Sequence, residues 1–259
     1  MITAGFDVGN KFTKVVLLKD GEIAGCGRVL SGFNQKQAIE KALEQALSTA
    51  NLEKTDIYLA IATGAGKADV TFAGGTITEV RAAAKGTIKL FPKARTVIDV
   101  GSEEGRALTM DEAGNVIEFA LNEKCAAGAG SFIETISQTL EVPLEEMGTL
   151  ALKANKSVPI NAQCVVFAES EVISLIHAQT PKADISNSIH EALADRISAM
   201  ARRAGLQREV AAIGGLAKNP GFIQALENNL GTKILLPDNP DLVSALGAAL
   251  YAAEKANNL

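Results

Sequence analysis

A short acidic turn containing glycine occurs twice in the sequence, and a basic residue follows each copy at the same distance. The first copy is Asp7-Val8-Gly9, and Lys14 follows its aspartate by seven positions. The second copy is Asp99-Val100-Gly101, and Arg106 follows its aspartate by the same seven positions. A repeat of this kind predicts two equivalent polar sites in one chain.

The residue types in these turns suit the binding of nucleotide phosphates and a metal ion. Glycine lets backbone N–H groups approach phosphate oxygens because no Cβ stands in the way. Asp7 and Asp99 are candidate catalytic carboxylates for Mg²⁺, since this ion takes one or two carboxylates together with phosphates. The basic residue on the following strand would neutralise charge on the β- and γ-phosphates. One such turn could equally be a plain hairpin, but two copies with the same offset favour a phosphate site.

A third glycine turn lies near the end of the chain. Gly214-Gly215 follows the predicted strand Val210–Ile213 and precedes the predicted helix Pro220–Leu230. It would suit the adenosine end of the same ligand. A strand followed by two glycines and a helix is common, so this turn indicates a nucleotide site only together with the other two.

Two cysteines, Cys125 and Cys164, each come directly before a predicted helix. A thiolate in that position is stabilised by the helix dipole and by free N–H groups. One interpretation is a pair of buried structural thiols, and the spacing alone favours it. The other is half of a metal–sulfur site, which usually takes four cysteines and would be completed by a second chain.

The elements that must position these residues also repeat. Each acidic turn ends an apolar run and is followed by two more, which predicts two meanders of three strands. The first meander begins with strands over 2–8 and 14–18, and the second has strands over 96–102, 107–110 and 116–121. Helices are predicted over 35–50, 129–140, 169–177, 184–204, 220–230 and 242–255, and further strands over 57–62, 210–213 and 233–235.

Composition excludes several classes of protein. The chain has 259 residues, 47% of them hydrophobic, and a net charge of −5. Both nucleic-acid binding and membrane-surface binding usually need a basic footprint, so neither is expected. No apolar run is long enough to span a bilayer, and the N-terminus does not resemble a signal peptide. Three scattered cysteines do not form a secreted disulfide framework, which predicts a reducing, cytoplasmic location.

The three glycine turns resemble the phosphate and adenosine motifs of the sugar-kinase/Hsp70/actin superfamily over essentially the whole chain. That resemblance implies an α/β, two-lobed actin-like ATPase with duplicated ribonuclease-H-like sheets flanked by helices, and ATP in the interlobe cleft. The lobes would comprise 1–94 plus 241–259, and 95–240, with the cluster cysteines in the second. The implied nucleotide-binding residues are Asp7, Gly9, Asn10 and Lys14, then Asp99, Gly101, Ser102 and Arg106, and finally Gly214 and Gly215.

The second phosphate turn departs from the superfamily pattern. Ser102 stands where many members carry a second glycine, and Glu103-Glu104 stands where close relatives have Gln-Asp. An added carboxylate would repel the γ-phosphate unless Mg²⁺ or Arg106 compensates. The rate of ATP hydrolysis is therefore open at this point.

Two segments around the cysteines, Asn122–Phe132 and Cys164–Leu175, closely resemble one family within that superfamily. It comprises the ATPase activators of 2-hydroxyacyl-CoA dehydratases and the ATP-binding subunits of benzoyl-CoA reductase. The resemblance implies that Cys125 and Cys164 from each of two subunits hold one 4Fe–4S cluster. ATP hydrolysis would then drive a low-potential electron from a ferredoxin or flavodoxin to a dehydratase or reductase. A homodimer is favoured, and a heterodimer stays open.

Other features leave alternatives. Thr63–Lys67 matches a family loop and is either a switch element or a plain connection. Arg81–Lys85 holds alanines where a Cys-His pair often stands. Together with Ser102–Arg106, this makes the chain look closer to the smaller reductase-type subunits than to the activators, and the branch within the family stays open. Cys26 is expected to be a free thiol, and His177 and His190 to be packing or surface residues.

A small-molecule kinase and a non-hydrolysing nucleotide sensor are the alternative functions. Iron content separates them from the electron donor.

Overall fold

The computed structural model describes residues 1–122, 130–160 and 164–258. The chain forms two compact units. The first comprises Met1–Ala94, Met110–Ile117 and Asp241–Leu259, and the second comprises Arg95–Thr109 and Glu118–Pro240.

The first unit contains a four-stranded sheet of order β3-β2-β1-β4. Its first three strands form an antiparallel meander, and β4 then pairs in parallel with β1. Such a parallel return needs a crossover, which helix α1 provides. The strands are β1 (Ile2–Val8), β2 (Phe12–Lys19), β3 (Glu22–Leu30) and β4 (Leu59–Thr63).

The second sheet has the order β7-β6-β5-β8-β9 and repeats the plan of the first. β5 pairs antiparallel with β6 and parallel with β8, as β1 pairs with β2 and β4. β9 extends this sheet by pairing in parallel with β8. The strands are β5 (Thr96–Val100), β6 (Gly105–Met110), β7 (Val116–Asn122), β8 (Val210–Ile213) and β9 (Ile234–Leu235).

Eight α-helices lie in the part of the chain that the structure describes. They are α1 (Gln35–Ala50), α2 (Glu79–Leu90), α3 (Gly130–Thr139), α4 (Leu144–Ala151), α5 (Val165–His177), α6 (Lys182–Arg203), α7 (Pro220–Leu230) and α8 (Val243–Ala256).

Glycines let the helices of the first unit lie very close to its sheet. A Cβ on Gly27 of β3 would stand 1.9 Å from the carbonyl oxygen of Ala42 in α1. A Cβ on Gly5 of β1 would stand 2.0 Å from the carbonyl oxygen of Ala245 in α8. The two helices cover opposite faces of the sheet, since strand residues alternate between faces. The core of this unit therefore has two layers of helix around one sheet.

The core of the second unit lies between its sheet and helices α3, α6 and α7. Ile98 of β5 packs in one cluster with Phe132 of α3, Ile189 of α6 and Phe222 of α7, and all four are fully buried. Burial of side chains of this size contributes about 1.5–3 kcal/mol each. This cluster fixes α3 against the strand that carries the second acidic turn.

The structure confirms helices at 35–50 and 220–230 and strands at 2–8 and 210–213. The predicted start of α5 at Glu169 is wrong, because the helix begins at Val165, directly after Cys164. Helices α2 and α4 were not predicted, since their buried faces consist largely of alanine and glycine rather than large apolar residues. Among the described residues, no helix is both long and apolar enough to cross a bilayer.

Candidate functional site

The two acidic turns place a carboxylate beside a cation in the same way. Asp7 of β1 lies directly opposite Lys14 of β2, and Asp99 of β5 lies directly opposite Arg106 of β6. Lys14 Nζ is 2.8 Å from Asp7 Oδ2, and Arg106 Nη1 is 3.1 Å from Asp99 Oδ2. The seven-residue offset in the sequence is thus the cross-strand register of two antiparallel hairpins.

The backbone of the two turns is also equivalent. Gly9 donates its N–H to the carbonyl oxygen of Phe12 at 3.1 Å, and Gly101 donates to that of Glu104 at 2.9 Å. A Cβ on Gly9 would stand 3.0 Å from the Phe12 oxygen and 3.3 Å from Lys14 Nζ. Glycine therefore keeps the space beside the cation open. Asn10 in the first turn is exposed and Ser102 in the second is half-buried.

Arg106 contacts two carboxylates of the second turn. Its Nη2 pairs with Glu104, while its Nη1 pairs with Asp99. The side chains of Arg106 and Asp99 are 19% and 8% exposed, so water screens their ion pair only partly. The charge of Glu104 is therefore neutralised by the arginine two residues later.

A second pair of equivalent glycines stands next to the aspartates. Gly64 after β4 and Gly214 after β8 have φ values of +89° and +86°. A Cβ on Gly64 would stand 2.7 Å from Asp7 Oδ1, and a Cβ on Gly214 would stand 2.6 Å from Asp99 Oδ1. Both the left-handed backbone and the close approach require glycine. Gly215 has open space around it.

Sequence reasoning missed this equivalence of Gly64 and Gly214. It treated Thr63–Lys67 as a separate loop and assigned Gly214 to the adenosine motif alone. The available signal was a short strand ending in glycine in both halves, but the pairing of β4 with β1 joins residues far apart in sequence. In this loop Lys67 Nζ lies 3.0 Å from Glu79 Oε1 at the start of α2.

Helix α3 begins on the second acidic turn. Gly130 donates its N–H to the carbonyl oxygen of Gly101 at 2.9 Å, and Ser131 donates to that of Ser102 at 2.7 Å. Two N–H groups at the start of α3, which have no partner within the helix, are satisfied in this way. A displacement of the turn would therefore also displace the first residues of α3. Cys125 precedes this helix and lies outside the described residues.

Cys164 is the N-cap residue of α5, with extended φ and ψ of −94° and 139°. Its thiol is free and half-buried. The helix packs on α3 through buried Ala168 and Val172, and Thr139 Oγ1 donates to Glu169 Oε1 at 3.0 Å. Within the described ranges, no three His, Cys, Asp or Glu side chains come together as a metal site. A metal centre at Cys164 would thus need ligands from elsewhere.

The outer face of α5 is apolar and exposed. Val166 is 61% exposed, Phe167 is 68% exposed and Ile173 is 44% exposed. An apolar face of this kind is typical of a surface that meets another protein.

The remaining candidates lie away from these turns. Cys26 is free and packs beside the cluster of Val16, Ala245 and neighbouring residues under α8. His190 is completely buried in α6, and His177 is exposed at the end of α5. The expectation that the histidines are packing or surface residues is consistent with these positions.

Comparisons with known proteins match the whole chain. The family model described as the BadF/BadG/BcrA/BcrD ATPase family matches residues 4–252. The activator of lactoyl-CoA dehydratase from Anaerotignum propionicum is 39% identical over 99% of both chains. A benzoyl-CoA reductase subunit from Thauera aromatica is 30% identical over 97% of this chain and 93% of its own.

A solved structure agrees with the same assignment. The activator of the 2-hydroxyisocaproyl-CoA dehydratase from Clostridium difficile, with bound ADPNP, is 36% identical and has a TM-score of 0.95. The match covers 100% of this chain and 96% of that one. The α/β two-sheet fold of actin-like ATPases, predicted from the sequence, is thereby confirmed. Identity is higher to the two dehydratase activators than to the reductase subunit.

Proposed function

The chain belongs to the BadF/BadG/BcrA/BcrD ATPase family, and on that premise we propose that it is an ATP-driven electron donor that activates an acyl-CoA dehydratase. The observation that carries the proposal is the pair of equivalent aspartate–cation turns. Asp7 with Lys14 and Asp99 with Arg106 give two matched acidic and basic pairs at glycine turns. Both turns would serve the phosphates of one ATP molecule.

The carboxylates fit a magnesium ion that accompanies ATP. Mg²⁺ takes one or two carboxylates, and Asp7 and Asp99 each present a second oxygen beside the one that pairs with a cation. Lys14 and Arg106 would stabilise negative charge on the phosphates as the terminal bond breaks. Asn10 and Ser102 extend the two turns, and Gly214 and Gly215 would meet the adenosine end. The ADPNP bound to the similar Clostridium difficile activator supports the binding of a nucleotide by this chain.

The cysteines fit a shared iron–sulfur centre. We assign Cys125 and Cys164 of each of two chains as the four ligands of one 4Fe–4S cluster. Cys164 supports this assignment because its thiol is free, half-buried and at the start of α5. Such a cluster, when bound, supplies a carrier for one low-potential electron.

The exposed apolar face of α5 supports the pairing of two chains. Val166, Phe167 and Ile173 follow directly on Cys164 along the same helix. A second copy that covered this face would also bring its own cysteines towards the first copy's. A homodimer is the simplest arrangement, because each chain then supplies the same two thiolates.

The contacts of α3 offer a route from ATP to the cysteines. Gly101 and Ser102 accept hydrogen bonds from the first residues of α3, which in turn packs on α5. Loss of the terminal phosphate at this turn would shift α3 and, through it, α5. One electron, taken from a ferredoxin or flavodoxin, would then pass to the dehydratase.

Removal of the acidic groups tests the ATPase part of this proposal. We expect Asp7→Asn and Asp99→Asn each to lower kcat for ATP hydrolysis by about 100-fold or more, because each removes charge that holds the metal and phosphates. The control is Glu40→Gln, on the exposed side of α1, which should hydrolyse ATP at the wild-type rate. Wild-type rates in both aspartate variants would rule out these turns as the site of hydrolysis.

A further inference from the structure

An ion pair between a half-exposed arginine and a buried aspartate links the first sheet to the segment before α8. Arg28 Nε of β3 lies 3.0 Å from Oδ2 of Asp241, whose side chain is only 4% exposed. Asp241 begins the last segment of the first unit, and Pro240 is the last residue of the second unit. The pair therefore stands at the peptide bond where the chain passes from one unit to the other.

The same arginine supports the first acidic turn. Arg28 Cζ lies 3.9 Å from the centroid of the Phe12 ring, within the range of a cation–π contact. The carbonyl oxygen of Phe12 closes the turn by accepting the N–H of Gly9. A movement of Arg28 would consequently disturb the residue that holds the turn closed.

Charge balance on the sheet also requires the pair. Arg28 lies directly opposite Lys14 on the neighbouring strand, and like charges in such positions repel. Each cation has its own carboxylate, since Lys14 pairs with Asp7 and Arg28 pairs with Asp241. Asp241 thus holds Arg28 away from the group that is proposed to meet the phosphates.

The residue before Asp241 contacts the third glycine turn. The carbonyl oxygen of Pro240 accepts the N–H of Gly214 at 2.9 Å. This contact lies within the second unit, whereas Asp241 and Arg28 belong to the first.

We infer that Arg28 and Asp241 are positioning residues for ATP, which hold the first phosphate turn, Gly9–Phe12, in the form that the nucleotide needs. This inference rests on the proposed ATPase function. Neither residue is assigned to touch the nucleotide. They act by holding Phe12 and the turn that it closes, so the effect of losing either residue should equal the effect of losing both.

The test is a double-mutant cycle in steady-state ATP hydrolysis, with thermal unfolding measured in parallel. We expect Arg28→Gln and Asp241→Asn each to raise KM for ATP about fivefold while kcat changes less than about twofold. The double variant should have the same KM as either single variant. Arg28→Lys keeps the charge without the planar group, and should fall between the wild type and Arg28→Gln.

The matched control is Lys85→Gln, which removes another ion pair of the first unit, between Lys85 Nζ and Glu254 Oε1 at 2.7 Å. It should leave KM unchanged. A lowered Tm with wild-type KM in the Arg28 and Asp241 variants would make the pair merely structural, and additive effects would exclude a shared role. Either result overturns the inference while the wild type still hydrolyses ATP. A wild-type chain that binds no ATP overturns the proposed function and this inference together.

Discussion

Arg106 balances more negative charge at the second turn than Lys14 balances at the first. Lys14 pairs with Asp7, whereas Arg106 pairs with both Asp99 and Glu104. Loss of Arg106 would remove the cation that Asp99 and Glu104 share at the proposed phosphate site. Because charges near a protein surface still interact by a few kcal/mol at contact distances, this loss should dominate ATP affinity.

We therefore expect Arg106→Gln to weaken ATP binding about tenfold more than Lys14→Gln does. Titration calorimetry with a non-hydrolysable ATP analogue measures both dissociation constants. Adding Glu104→Gln to Arg106→Gln should restore part of the affinity, since it removes one unpaired carboxylate. Equal effects of the two single variants, without restoration by Glu104→Gln, would mean that Glu104 does not act on the nucleotide.

At the scale of single residues, the sequence predicts local pairs well and distant ones poorly. The pairing of Asp7 with Lys14 follows from a seven-residue offset within one hairpin. The approach of Gly64 to Asp7 depends on the parallel pairing of β4 with β1, which no local pattern encodes. Cys164 was predicted to precede a helix, and it does. The roles of these residues stay predictions.

At the scale of elements, the helices that the sequence did not predict are those with small buried residues. α2 buries Ala82, Ala83, Ala84 and Gly86, and periodicity arguments look for larger side chains. The reason for the small residues is the close approach of α8. A Cβ on Gly247 would stand 1.8 Å from the carbonyl oxygen of Ala82.

Adding a methyl group where α8 meets α2 should destabilise the first unit. We expect Gly247→Ala to lower the free energy of unfolding by about 1–3 kcal/mol, because the new methyl group forces α2 and α8 apart. Gly215→Ala is the control, since a Cβ there meets no atom within 4 Å. Urea unfolding followed by circular dichroism measures both. If Gly247→Ala unfolds at the same urea concentration as Gly215→Ala, the two helices do not pack as closely as described.

A buried histidine in helix α6, His190, makes the free energy of unfolding depend on pH. Burial lowers the pKa of His190 below its ordinary value of about 6.5, although its Nδ1 lies 2.7 Å from the carbonyl oxygen of Ser186. The unfolded chain therefore binds a proton more readily than the folded chain. The stability contributed by the neutral ring is complete above about pH 6.5 and is lost as the pH falls through that value towards the lower folded pKa.

We expect the urea midpoint of the wild type to fall more between pH 7.5 and pH 5.5 than that of His190→Gln, which has no imidazole to protonate. The comparison of the two shifts removes the contribution of other titrating groups, which both proteins share. Equal shifts in both proteins would show that His190 is protonated as easily in the folded chain as in the unfolded one.

At the scale of the whole molecule, the repeated acidic turn predicted two equivalent meanders, and the resemblance of the three glycine turns to the sugar-kinase/Hsp70/actin motifs implied the actin-like two-sheet fold. The comparisons confirm that fold. The sequence alone could not tell whether Cys125 and Cys164 are structural thiols or metal ligands, since a cysteine of either kind can stand before a helix. The assembly that would distinguish them involves a second chain.

The most direct test of the electron-donor account is the iron content and mass of the protein purified without oxygen. The account predicts about four irons and four sulfides per two chains, with both lost in Cys125→Ala and Cys164→Ala. Cys26→Ala is the matched control and should keep its iron, because Cys26 lies in the first unit under α8. An iron-free wild type that cannot be reconstituted, or iron that survives in both the Cys125 and the Cys164 variants, would contradict it.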